Sequence, residues 1–277
     1  MTAPETFRYV EVAEGALWCG VGAGDGTPVV FVHGFSVDHA MWDAEVAALA
    51  RRATTVRYDL RGFGRSGEPH PGYDHVDDLV GLLDRLGLDQ AVVVGLSLGA
   101  NVALALVVQR PERVRGVVLA SPGLPGRAWP TPRPPDLALA HARAHGVESA
   151  RRFWRDLPLF DSTRARPAAF AQLGMMLDRF PAHQWAPGPQ SRALPALAEL
   201  LEQVRRPVTV VSGEHDDDGY LEIAAELAAR IPGVRRVDIA AAGHFVNLDE
   251  PDAFNEVVAG VLDALDAPGD VPGDGQP

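Results

Sequence analysis

Lysine is absent from the 277 residues, so all 25 basic side chains are arginine; 37 acidic residues outnumber them and the net charge is −12. A surface with that balance lacks the positive field that nucleic acid or an anionic membrane requires. Cysteine is nearly absent as well. Cys19 stands alone, which excludes an internal disulfide and a cysteine-based metal centre. The opening residues, MTAPETFRYVEV, have no basic segment leading into an apolar one, so no secretory signal is read there and the expected location is cytoplasmic. Long apolar runs are scarce. The uncharged stretch 91–109 reaches membrane-spanning length, yet Gly95, Ser97, Gly99 and Asn101 interrupt it, and it reads as strand, turn and helix. What the chain does have is 47% hydrophobic residues, enough to exclude disorder as its main state.

Those apolar residues fall into short β-branched runs alternating with helical patterns. Segments 7–12 and 16–22 read as an antiparallel opening pair. Strands follow at 29–34, 54–60, 91–95, 116–121, 207–213 and 235–240, with helices at 43–52, 76–87, 98–109, 221–231 and 251–265. Continuous apolar strands separated by helices predict an α/β fold: a mainly parallel, eight-stranded sheet covered on both faces. The alternation fails over 122–206, which opens with six prolines between Pro122 and Pro135 and continues as helices near 136–146, 148–156 and 166–180. The expected organisation is a core of 1–121 and 207–266, a helical cap of 122–206 between two core strands, and a disordered tail over 267–277. Trp129, Trp154, Trp185, Met175 and Met176 are expected partly to pack the cap and partly to line a pocket.

The sharpest local signal is Gly95-Leu96-Ser97-Leu98-Gly99, directly after a buried strand and directly before a helix. Such a turn admits only small residues two positions either side of the serine, and it lifts the hydroxyl to the N-terminus of the following helix. A serine hydroxyl is a weak nucleophile until a base takes its proton, so a histidine and a carboxylate should follow in the order Ser, Asp, His. Of nine histidines, His244 lies just beyond the strand 235–240. Asp216 lies just beyond the strand 207–213, at the same carboxyl edge, where parallel sheets form their sites. Asp217 is the reserve for the acid; Asp218 and Glu214 are further neighbours, and His215 reads as a surface loop residue. The amide of Leu98 and that of Phe35, in the loop His33-Gly34-Phe35, are the expected oxyanion donors. His33 reads as a brace for that loop.

The motifs HGF at 33–35, YDLRGFGRS at 58–66, GLSLG at 95–99, GEHD at 213–216 and AGHFVNLDEP at 242–251 resemble those of the α/β-hydrolase superfamily, in its order. The stretch from His33 to Ala50 is most similar to small esterases and lactonases, including the 3-oxoadipate enol-lactonase group. The resemblance implies Ser97 as nucleophile, Asp216 as acid, His244 as base and Phe35 with Leu98 as the oxyanion hole. It also implies a small-molecule ester or lactone as substrate, hydrolysed through an acyl-serine without metal or organic cofactor. Lyase, perhydrolase, cofactor-free oxygenase or cyclase chemistry on the same residues, and a ligand-binding sensor, are the competing expectations. Oligomeric state is left open by the residues.

Three other patterns are weighed and set aside. Gly62-Phe63-Gly64-Arg65-Ser66-Gly67 matches a dinucleotide fingerprint, but Pro69 and Pro71 forbid the helix that must receive the pyrophosphate. His141 and His145 have zinc spacing but no glutamate or third ligand nearby, so a solvated helix face is expected. Arg127, Arg133 and Arg179 are candidates for holding a substrate carboxylate, although arginines at such positions are mostly surface residues.

Overall fold

The computed structural model describes residues 5–129 and 131–267. Its eight strands are β1 (Glu5–Val12), β2 (Gly15–Gly22), β3 (Val29–Val32), β4 (Thr55–Tyr58), β5 (Ala91–Leu96), β6 (Val114–Ala120), β7 (Val208–Gly213) and β8 (Arg235–Ile239). They form one sheet in the order β1-β2-β4-β3-β5-β6-β7-β8. β1 pairs with β2, and β2 with β4, antiparallel. Every other neighbouring pair is parallel. Every residue of β3, β5 and β7 is buried. That is why β3 and β5 read as unbroken apolar runs with no alternation to show, while β7 interrupts its valines only with the small polar Thr209 and Ser212.

The helices are α1 (Asp43–Leu49), α2 (His75–Leu86), α3 (Leu98–Gln109), α4 (Pro134–His145), α5 (Val147–Arg155), α6 (Asp161–Arg164), α7 (Pro167–Arg179), α8 (Asp218–Arg230), α9 (Val246–Asp249) and α10 (Pro251–Asp266). The strand order decides where they lie. From β3 the chain steps to β4 through α1; from β4 it crosses back to β5 through α2 and then advances to β6 through α3. Parallel crossovers are right-handed, so reversing direction puts α1 on one face and α2 with α3 on the other. Accordingly α1 packs on α10, and α2 packs on α3. The reversal between β3 and β5 opens a crevice beyond their carboxyl ends, which is where a site is expected in such a sheet.

Residues 121–207, between β6 and β7, carry α4 to α7 and short 3-10 turns; among the described residues they contribute no strand. The prolines do not merely interrupt this segment. Pro134 and Pro135 open α4, because their missing amides are among those a first helical turn leaves unpaired. Trp154 of α5 is buried and its Nε1–H donates to Ser36 Oγ at 2.8 Å, tying these helices to the loop after β3. Arg179 of α7 pairs with Asp38 on the same loop.

The apolar stretch 91–109 splits into β5 and α3 at Ser97, and no helix among the described residues is long and apolar enough to cross a membrane. After the glycines of 62–67 no helix begins until His75, so the dinucleotide pattern lacks its helix. The expected tail lies outside the described residues from 268 onward.

Candidate functional site

Ser97 sits between β5 and α3 with φ 54° and ψ −108°, a conformation that a residue bearing a side chain adopts only under constraint. The neighbours make the turn possible. A Cβ on Gly95 would collide with the Gly99 carbonyl, and one on Gly99 with the carbonyls of Val32 and His33. Such strain costs on the order of 1–3 kcal/mol. Burying one large aliphatic side chain contributes about as much, and α3 fully buries Val102, Leu104 and Leu106. The Ser97 amide donates to Ala120 O at 2.9 Å and its carbonyl accepts from the Asn101 amide at 3.0 Å, which fixes the turn from both sides.

The register of the sheet brings the first two loops level. Val32 is paired with Gly95, so Phe35 and Leu98, each three residues on, emerge at the same height. Leu98 is the first residue of α3, and its amide has no acceptor within the helix. Both residues line a cavity with Ser97. His33 lies beneath them, completely buried. Its Nε2 accepts from the Leu60 amide at 2.9 Å and its Nδ1–H donates to Gly34 O at 2.7 Å. Burial pulls its pKa down, in keeping with a neutral ring that braces the loop.

The loops after β7 and β8 are joined through their backbones. The Glu214 amide donates to Ile239 O at 3.1 Å, and the His215 amide donates to Ala242 O at 2.8 Å. This seam brings Asp216 to His244, where Nδ1 lies 3.0 Å from Oδ1 and 3.1 Å from Oδ2. Both side chains are withdrawn from solvent. Asp217 does something else: its side chain accepts from the Gly219 amide at 2.9 Å and caps α8. His215 is exposed, and Asp249 holds the His244 loop by accepting from the Gly243 amide at 2.8 Å.

Ser97, Phe35, Leu98, Trp129, Arg133 and Tyr220 are among the residues lining a cavity of about 440 Å³. A smaller recess of about 10 Å³ adjoins Ser97 and is lined by His244, Trp154, Phe245 and again Tyr220. Met175 is exposed, whereas Trp185 packs with Phe35, Trp154 and Phe180.

Tyr220 was not legible as a site residue. Its ring centroid lies 4.3 Å from that of His244, and it lines the recess beside Ser97. Burial raises its pKa, the Asp216 charge raises it further and the contact with Ser97 opposes both. The helical pattern starts at 221, three residues after the observed start at Asp218, and so leaves Tyr220 outside it. Reading Asp217 as an N-cap rather than as a reserve acid would have placed Tyr220 in the first turn.

The three arginines considered for a substrate carboxylate are differently placed. Arg127 and Arg133 line the larger cavity, but Arg127 is paired with Glu222 and Glu226, and Arg133 with Asp136. Arg179 is not among the described residues of that lining and is engaged by Asp38. His141 is also no simple solvated face: it stacks on Phe153 at 4.4 Å and its Nε2 lies 2.9 Å from Ser149 Oγ. Among the described residues, Asp38, His39 and Asp59 are clustered closely enough to share a metal ion. Asp59 and His39 are paired with each other at 2.6 Å, and outside the cluster Asp59 accepts from the Arg65 amide at 2.8 Å and Asp38 pairs with Arg179 at 2.8 Å.

Comparison with known proteins agrees with this architecture. A model of the Alpha/beta hydrolase family matches residues 29–257. A protein named for carbamate hydrolysis, RutD of Caulobacter sp. strain K31, is 31% identical over 260 residues, covering 87% of this chain and 92% of its own. The structure of Est816, an N-acyl homoserine lactone degrading enzyme, is 30% identical with a TM-score of 0.77, covering 91% of this chain and 99% of its own. The enol-lactonase of Burkholderia xenovorans LB400 is 26% identical with a TM-score of 0.76, covering 92% and 99%. The chain belongs to the alpha/beta hydrolase family.

Proposed function

We propose that this protein is a serine hydrolase that cleaves a carboxylic ester or lactone through an acyl-serine intermediate. The observation that carries the reading is the meeting of two buried groups, His244 and Asp216, beside a serine held in a strained turn, with Ser97 and His244 lining one recess. Similarity to an enol-lactonase and a lactone-degrading enzyme supports the substrate class.

With Asp216 accepting from Nδ1–H, the His244 proton is held on that nitrogen and Nε2 is left as the base. His244 takes the Ser97 proton while Oγ attacks the carbonyl carbon. The resulting oxyanion is held by the amides of Leu98 and Phe35. Collapse breaks the bond to the leaving oxygen, which takes the proton from His244 and, in a lactone, stays attached as the free hydroxyl of the product. His244 then activates water on the acyl-serine, and the acid departs.

The test is labelling with a fluorophosphonate, with the adduct mapped by mass spectrometry in wild type and His244→Ala. Rapid modification of Ser97 that disappears in the variant is expected. Ser97→Ala should lower kcat on a cleaved ester by about 10³–10⁶-fold. A folded wild type that resists the probe, or an unimpaired Ser97→Ala, would overturn the reading.

A further inference from the structure

We propose that Tyr220 is a further catalytic residue, whose phenolic O–H donates a hydrogen bond to Ser97 Oγ as that oxygen leaves the acyl carbon, so that it speeds deacylation. The proposal rests on the acyl-serine reading above and assigns a role that the triad and oxyanion donors leave unfilled.

The geometry points to a built contact. Tyr220 is 6% exposed and lines both the large cavity and the recess beside Ser97. Its ring is held on two sides, 4.3 Å from the His244 ring and edge-on to Trp129 at 5.0 Å between centroids. From below, its amide donates to Asp217 O at 2.9 Å in the first turn of α8. A phenol fixed in this way, lining the same recess as Ser97 and His244, needs little rearrangement to serve a charge that develops on Oγ. Burial and the Asp216 charge both hold it protonated, so it acts as a donor and not as a base.

The chemistry of Oγ decides which half-reaction benefits. In the free enzyme Oγ is an alcohol oxygen, already a good acceptor, so a phenol donor gains little from it on the way to the first transition state. In the acyl-enzyme Oγ is an ester oxygen, a poor acceptor. When the second tetrahedral intermediate collapses, the carbon–Oγ bond breaks, the electron pair passes to Oγ and His244 returns a proton to it. The donor therefore strengthens from ground state to transition state mainly in deacylation, and only such differential binding accelerates a step.

The experiment is Tyr220→Phe, which keeps the ring and removes the hydroxyl. It is assayed on a p-nitrophenyl ester, whose good leaving group makes deacylation rate-limiting. The expected result is a fall in kcat of about 10–100-fold. KM should fall with it, leaving kcat/KM and the rate of fluorophosphonate labelling within about threefold of wild type. Intact-mass spectrometry of the quenched variant should show the acyl group accumulating on Ser97. If kcat/KM and labelling fall as far as kcat, or if kcat is unchanged, the proposal is overturned and the phenol is only packing. Absence of labelling in the wild type would instead overturn the nucleophile assignment itself, so the two failures are told apart.

Discussion

Asp216 and Asp217 are neighbours in the chain, and the backbone turn between them sends their carboxylates to different partners. Asp216 faces His244 from within the protein, while Asp217 spends its oxygen on the Gly219 amide at the start of α8. Removing each should therefore give a different phenotype. Asp216→Asn offers an amide to Nδ1 and disturbs the imidazole tautomer, so kcat on a cleaved ester should drop by about 10²–10⁴-fold with little change in melting. Asp217→Ala should cost about 1 kcal/mol of stability through the lost cap. Steady-state kinetics beside urea unfolding of the two variants checks the division; equal kinetic losses in both would contradict it. At this scale the candidate triad was legible in the sequence because Ser97, Asp216 and His244 each follow a strand closely. Tyr220 was not, since the five acidic or histidine residues from Glu214 to Asp218 drew attention to titratable groups and the cap that defines the helix start went unread.

At the scale of elements, buried strands announced themselves and element boundaries did not. A parallel strand covered on both faces is nearly continuously apolar, so β3, β5 and the valines of β7 stood out as runs. Boundaries are settled by local hydrogen bonds that periodicity does not register: α1 stops at Leu49, short of the expected Arg52, and α4 starts on two prolines that seemed to forbid it. How the helices between β6 and β7 seat on the sheet was also illegible, because it depends on individual tertiary contacts. One of these is Trp154 Nε1–H to Ser36 Oγ, made by a residue of α5 that is 2% exposed. Trp154→Phe keeps an aromatic ring in the cluster of Phe35, Phe160 and Trp185 but strands the buried Ser36 hydroxyl. The expected cost is about 1–3 kcal/mol, read as a lower urea midpoint at unchanged slope. An unshifted midpoint would mean that this contact does not hold the inserted helices.

Across the whole molecule, two buried titratable groups that stand outside the candidate triad oppose one another. Burial pushes the Glu45 carboxyl up from its ordinary 4.5 to about 8, with Asp43 adding to the rise and the Asn247 and Arg57 side chains opposing it. Burial pulls His75 down from 6.5 to about 3, helped by His33 and Arg61. The folded chain keeps a proton on Glu45 that the unfolded chain releases above 4.5, so stability falls as pH rises from 4.5 to about 8. The folded chain refuses His75 a proton that the unfolded chain accepts below 6.5, so stability falls as pH drops from 6.5 to about 3. Each group changes stability by about 1.4 kcal/mol per pH unit inside its window. Between 4.5 and 6.5 the two slopes cancel. Outside that range only one of these two groups contributes, over 1.5 pH units on each side by subtraction of the values above, or about 2 kcal/mol per flank, and His33, also held low by burial, adds to the acid side. Glu45→Gln should therefore remove its share of the alkaline loss and make stability rise more steeply with pH between 4.5 and 6.5, and His75→Asn should lessen the acid loss and tilt that interval the other way. Urea midpoints from pH 3 to 9 for wild type and both variants decide it. Parallel profiles for the wild type and Glu45→Gln would show that this carboxyl does not set the alkaline flank.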